Sequence, residues 1–138
     1  PSVKANFLRL MLLVEKGWPL PLASVNNRRS LVALDNLLGL LIRCIDHPDA
    51  ARQTFLVSDG EDLSTPELIK GIAEAMGRSP RLYPVPVPLL RAAARMTGHV
   101  AEFERLAGSL QVDIQATCET LGWAPPVSVR EGLARALR

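Results

Sequence analysis

Proline placement limits the folds open to this chain more than any other feature. Trp18-Pro19-Leu20-Pro21-Leu22 and Arg81-Leu82-Tyr83-Pro84-Val85-Pro86 are apolar enough for strands, yet each carries two prolines. Proline has no N–H to give to a ladder, so both stretches are expected at a sheet edge or as extended loops. Pro125-Pro126 likewise forbid a helix from running on past Gly122. Strand candidates then reduce to Gln53-Thr54-Phe55-Leu56-Val57-Ser58 and a short apolar run after Arg29. The expected class is α/β, mostly helical with a few short strands.

Helical signals fill the rest. Ser2 can cap a helix over about residues 3–16, with Val3, Phe7, Leu10, Met11 and Val14 on one stripe, Leu8, Leu12 and Leu13 widening it, and Gly17 ending it. Asp35 is expected to cap a helix to about Asp46 with Leu37, Leu38, Leu40, Leu41, Cys44 and Ile45 inward, stopped at His47-Pro48. His47 is expected to interact with that helix's last carbonyls rather than to transfer protons. Ser64-Thr65-Pro66-Glu67 reads as a capping box opening a helix that ends at Gly77. Pro88 starts a helix over residues 88–97 broken at Gly98, and Val100 to Leu106 forms a shorter one. Asp113 caps a helix stopped at Gly122, where Trp123 can fold back on the last turn. Ser128-Val129-Arg130-Glu131 is a second box, for a final helix of Leu133 and Leu137.

Residues 1–138 make one domain's worth of chain, and 48% hydrophobic residues suffice for a core. Formal net charge is +2, and the sixteen cations, all Arg except Lys4, Lys16 and Lys70, are scattered with acids between them. That argues against nucleic acid as a partner. Cys44 and Cys118 lie far apart without metal-type spacing and read as buried free thiols of a reducing cytoplasm. No apolar run approaches the roughly twenty residues of a membrane span, and nothing resembles a signal peptide. The acids of Asp59-Gly60-Glu61-Asp62 read as dipole neighbours of a helix start, not as a metal site. With no initiator Met and an apolar helix at once, the chain is expected to be the carboxyl-terminal part of something longer.

Asn26-Asn27-Arg28-Arg29 leads into the apolar run Leu31-Val32-Ala33-Leu34 and then Asp35-Asn36-Leu37. Guanidiniums at a strand mouth suit phosphate oxygens, because Arg offers a rigid fork of donors. The plainer reading of Arg28 and Arg29 is solvated charge beside a turn.

The run from Arg29 to Leu37 resembles the "Arg, x, apolar residues, Val-Asp-Asp" segment in the carboxyl-terminal half of extended short-chain dehydrogenase/reductases, the NAD-dependent epimerase/dehydratase family. Two later stretches are similar to that family as well: the acidic turn with its capped helix, and Leu121-Gly122-Trp123 followed by Pro125-Pro126 and the Glu131-Gly132-Leu133 helix. The resemblance implies the substrate-binding part of an extended Rossmann-type enzyme, with UDP-sugar as ligand. It implies that Asn6 and Phe7 touch the nucleotide sugar, that Leu20 and Leu22 line the uracil, and that Arg29 and Arg105 hold the pyrophosphate. Ser109 stands where relatives place an Asp near the ribose.

The family's hydride chemistry needs a Gly-rich turn for the dinucleotide and a Tyr-x-x-x-Lys pair. Neither occurs: Tyr83 is the only tyrosine, and Val87 stands four residues on. The resemblance therefore implies NAD or NADP in the parent enzyme, none bound by this chain alone, and a missing amino-terminal cofactor domain as partner. A strand at Thr54–Val57 without that domain implies an open edge and self-association. A 4-keto-sugar reductase, a non-catalytic binding module and a helical interaction domain remain open alternatives.

Overall fold

The structure, a computed structural model, describes residues 6–137, with side chains from Phe7 onward. Ser2 and Val3 of the first expected helix lie outside the described residues, as does the side chain of Asn6. The chain divides into two compact units, one built from the residues up to Arg29 with Leu63–Ser109, the other from Ser30–Asp62 with the residues from Leu110 on. A two-stranded ladder of β1 (Arg29–Ser30) and β2 (Asp62–Leu63) is the sheet among the described residues.

The first unit holds α1 (Asn6–Glu15), α3 (Thr65–Ala75), α4 (Val87–Met96) and α5 (Val100–Ala107). Helix α1 packs on α3 and α5, and α4 packs on α5. Leu10 and Val14 of α1 and Leu68, Ile69, Ile72 and Ala73 of α3 are buried, at the three-and-four spacing that puts one stripe inward. Both proline-rich stretches behave as edges. Leu20 makes one isolated parallel bridge to Leu82, its N–H donating to Arg81 O and its carbonyl accepting from Tyr83 N. One further bond follows, Ala23 N donating to Tyr83 O (3.1 Å), while Pro21 and Pro84 between and beside these residues supply no donors.

Helix α3 opens on the expected box. Ser64 Oγ accepts from Glu67 N (3.3 Å), and the Glu67 carboxylate accepts from Ser64 N (2.7 Å). Hydrogen bonds from the Ser64 side chain and then its backbone hold the Glu67 carboxyl below the usual carboxylate range, with Arg28 and Lys70 adding smaller attractions against a modest opposing effect of burial. A carboxylate whose folded pKa is depressed stabilises the fold above its unfolded pKa, and that contribution is lost as pH falls through the folded value. Thermal unfolding followed from pH 7 down to pH 3 is therefore expected to show a falling difference between wild type and Glu67→Gln. The difference is full at neutral pH, begins to fall near the ordinary Glu pKa of about 4.3, and is gone only below the depressed folded value.

The second unit holds α2 (Leu34–Asp46), a short 3-10 turn (Pro48–Ala50), α6 (Gln115–Leu121) and α7 (Val129–Ala136). Several expectations are corrected here. Asp35 does not cap α2: the cap position is Ala33, whose N–H donates to Asp59 Oδ1 (2.7 Å), while Asp35 sits in the first turn, ion-paired with Arg135 (2.6 Å). Leu38, Leu41 and Ile45 are exposed rather than inward, Ile45 by 80%. The side of α2 that the unit buries is the one carrying Asn36 and Leu40, so the opposite stripe has nothing to meet. His47 meets the α2 carbonyls through its backbone, its N–H donating to Arg43 O (3.1 Å), while its side chain turns forward, Nδ1 accepting from Asp49 N at the start of the 3-10 turn. Gln53–Ser58 forms no strand, since none among the described residues pairs with it; Leu56 O instead accepts from Thr117 Oγ1 (2.8 Å).

The carboxyl-terminal motifs hold with small shifts. Asp113 accepts from Gln115 N (2.9 Å) one residue ahead of the cap position of α6. Gly122 ends that helix at φ 54°, a left-handed conformation cheap only for glycine, and Trp123 N folds back to Cys118 O. Ser128 caps α7 by accepting from Glu131 N, whereas the Glu131 carboxylate turns to Arg135 one turn on (2.7 Å). Cys44 and Cys118 are free and half-buried rather than fully buried.

Candidate functional site

All seven residues singled out from sequence, Asn6, Phe7, Leu20, Leu22, Arg29, Arg105 and Ser109, belong to the first unit. Phe7 is half-buried on the first turn of α1, and Asn6 begins that helix. Leu20 and Leu22 are buried in the unit's core, leaving 6% and 7% of their surface for any ligand. Arg29 is half-buried in β1, Arg105 is exposed in the last turn of α5, and Ser109 is exposed just beyond it.

What joins the Arg29 segment to the Arg105 segment is a residue that sequence reading passed over. Asn27 is 2% exposed, and its Nδ2 donates to Leu106 O (3.2 Å) and Gly108 O (3.0 Å). Its Oδ1 accepts from Thr65 N at the start of α3 (2.8 Å), and Thr65 Oγ1 donates to the same Leu106 carbonyl (2.7 Å). One buried amide thus clamps the turn before Arg28-Arg29 to the end of α5 and to the start of α3. A second link runs alongside it, Arg28 N donating to Ser109 Oγ (3.1 Å), which leaves the Ser109 hydroxyl proton available. Its partners stand 79 and 81 residues away along the chain, so local pattern carries no trace of them.

Gly108 makes the close approach possible. A Cβ there would sit 2.7 Å from Glu104 O, against the backbone of the last turn of α5, so only glycine lets the chain leave the helix at this angle.

The two arginines that follow Asn26-Asn27 differ in their surroundings. Arg28 lies 4.0 Å from Glu67, an exposed pair worth little in itself. Arg29 and Arg105 have no carboxylate partner among the described residues, unlike Arg91, which pairs with Glu104 at 2.7 Å. Arg29 and Arg105 thus stand uncommitted on two segments that Asn27 ties together, and a guanidinium's fork of donors suits phosphate oxygens. Two of the three acids of the turn after Gln53–Ser58 are engaged, Asp59 with Ala33 N and Asn36, and Asp62 with Ser30 and Gln111.

A dinucleotide does not fit the residues present. Its cradle is a glycine-rich turn between a strand and a helix start with free N–H groups. Here α2 is entered through Leu31-Val32-Ala33 without glycine, and the start of α3 is filled by the carboxylate of Glu67.

Over 133 residues the chain is 50% identical to a Vibrio cholerae protein named UDP-glucose 4-epimerase, a match covering 96% of this chain and 40% of that protein. The chain therefore spans about two fifths of the length of this curated relative. No family model and no solved structure matches it. No helix among the described residues is long and apolar enough to cross a membrane.

Proposed function

We propose that this chain, 50% identical to a protein named UDP-glucose 4-epimerase, is a member of the NAD-dependent epimerase/dehydratase family of extended short-chain dehydrogenase/reductases and supplies the UDP-sugar-binding part of an NAD(P)-dependent sugar epimerase or dehydratase of that type. The observation that carries this reading is the Asn27 clamp, which fixes the Arg29 segment against the Arg105–Ser109 segment within one unit. Arg29 and Arg105 hold the pyrophosphate, Ser109 donates to the ribose end, Asn6 and Phe7 meet the nucleotide sugar, and Leu20 and Leu22 frame the uracil. This lobe binds and orients, while a cofactor domain outside this sequence brings NAD or NADP and the hydride chemistry. The setting proposed is cytoplasmic synthesis of surface polysaccharide.

Fusing the chain behind the part of the Vibrio cholerae relative that lies outside the match gives the test. Interconversion of UDP-glucose and UDP-galactose without net consumption of NADH is expected. Stoichiometric NADH consumption on a UDP-4-keto-sugar would select the reductase instead, and a folded fusion that neither binds nor turns over UDP-sugar would leave only an interaction module.

Self-association of the isolated chain is part of the same reading. Leu34, Leu38, Leu41 and Ile45 form an exposed apolar stripe on α2, and a stripe of this kind on a helix surface invites a partner. Light scattering is expected to show a mass above one chain at high concentration, and Leu38→Glu with Leu41→Glu is expected to return it to a monomer. A strictly monomeric wild type would count against the proposal.

A further inference from the structure

A recess of about 360 Å³ in the first unit, outside the candidate site, is lined by Val14, Lys16, Gly17, Arg78, Ser79 and Arg81. The sequence brings these residues together through two helix stops. Gly17 and Gly77, both at φ 65°, turn the chain out of α1 and α3, and the Leu20 bridge to Leu82 then holds the two exits side by side. Three cations therefore share one hollow with a serine and no carboxylate in its lining. None of Lys16, Arg78 and Arg81 has an ion pair among the described residues.

The plainest account of cations at this place is attraction to the ends of α1 and α3. A helix carboxyl terminus carries only about half a negative charge, so two ends offset about one of the three cations. Roughly two positive charges stay uncompensated, and grouping like charges is unfavourable unless an anion fills the space between them. Two arginine forks and an ammonium suit tetrahedral oxygens approached from several sides. Gly17 contributes no side chain, with nothing within 4 Å of where a Cβ would stand, so the mouth stays open.

We propose that this recess binds a phosphate group, free or as a phosphate ester, at a second site that shares no residue with Arg29 and Arg105. The proposal goes beyond UDP-sugar binding and does not depend on it. Calorimetric titration of the 138-residue chain with inorganic phosphate and with glucose 1-phosphate at low ionic strength provides the test. Saturable binding is expected to persist in the Arg29→Ala protein, whose candidate site is impaired, and to be weakened at least tenfold there by adding Arg78→Gln and Arg81→Gln. Binding by phosphate alone would mark a free-ion site, and binding by both a site that reads the phosphate of an ester; either supports the proposal. Absence of saturable binding, binding that the two added substitutions leave intact, or binding removed by Arg29→Ala would overturn it. Amide chemical shifts of the unaltered chain give a reading without variants: phosphate is expected to move Lys16, Gly17 and residues 78–81, and a response confined to residues 27–29 and 105–109 would also overturn the proposal.

Discussion

Replacing Asn27 by Ala is expected to lower UDP affinity at least tenfold and to destabilise the first unit by about 3 kcal/mol, the cost of stranding buried polar groups. Truncation leaves Thr65 N–H without an acceptor and Gly108 O without this donor, at a position 2% exposed. Loss of stability alone would not separate a clamp from any other buried polar residue. The distinguishing result is affinity measured well below the unfolding midpoint, where every molecule is folded. There the Arg29 segment has lost its tie to the Arg105 segment, and misplacement by about 1 Å is enough to cost binding geometry tens of fold. Asn27→Asp keeps the acceptor for Thr65 N–H but loses the donors to Leu106 and Gly108, so it is expected to fall between wild type and Ala in stability. Unchanged UDP affinity in a folded Asn27→Ala protein would reduce the clamp to a purely structural feature.

The second large effect is expected in the other unit. Asn36 is 0% exposed; its Nδ2 donates to Asp59 Oδ1 (2.6 Å) and to Val127 O (2.7 Å), and its Oδ1 accepts from Val127 N (2.9 Å). Asn36→Leu preserves size but leaves both backbone groups of Val127 unpaired and takes a donor from a largely buried carboxylate. Unfolding is expected to be easier by about 4 kcal/mol, the range for breaking a buried hydrogen-bonded network that includes a charge. At the neighbouring position, Asp35→Ala removes only an exposed ion pair with Arg135 and is expected to cost less than about 1 kcal/mol. Equal losses for the two variants in urea titrations would contradict this assignment.

That pair of neighbours shows what sequence reading reaches and where it stops. Stops and caps are local chemistry, so Gly17, Gly77 and Gly122, the Ser64–Glu67 box and Ser128 were legible from residue type and spacing. Prolines told correctly that residues 18–22 and 81–86 are edges. Asp before an apolar run usually caps a helix, which points to Asp35, yet Asp59 takes the Ala33 N–H from 26 residues away. Burial on α2 failed for a similar reason: leucine at Leu38 or Leu41 signals that a face is apolar, not that this chain contains its partner. The run at Gln53–Ser58 has strand chemistry, but a strand is defined by its neighbour, and none pairs with it among the described residues. In the candidate site, motif points to Arg29, Arg105 and Ser109 as candidates, whereas nothing local points to Asn27 and Thr65 as links between their segments. Their roles exist only through contacts across some 40 to 80 residues of chain.

Titration of UDP into the 138-residue chain, alone and fused behind the remainder of the Vibrio cholerae relative, tests the central claim most directly. The account expects saturable binding with one site per chain, weakened at least tenfold by Arg29→Ala and by Arg105→Ala. Absence of saturable binding in both proteins, or binding that neither substitution changes, would contradict it.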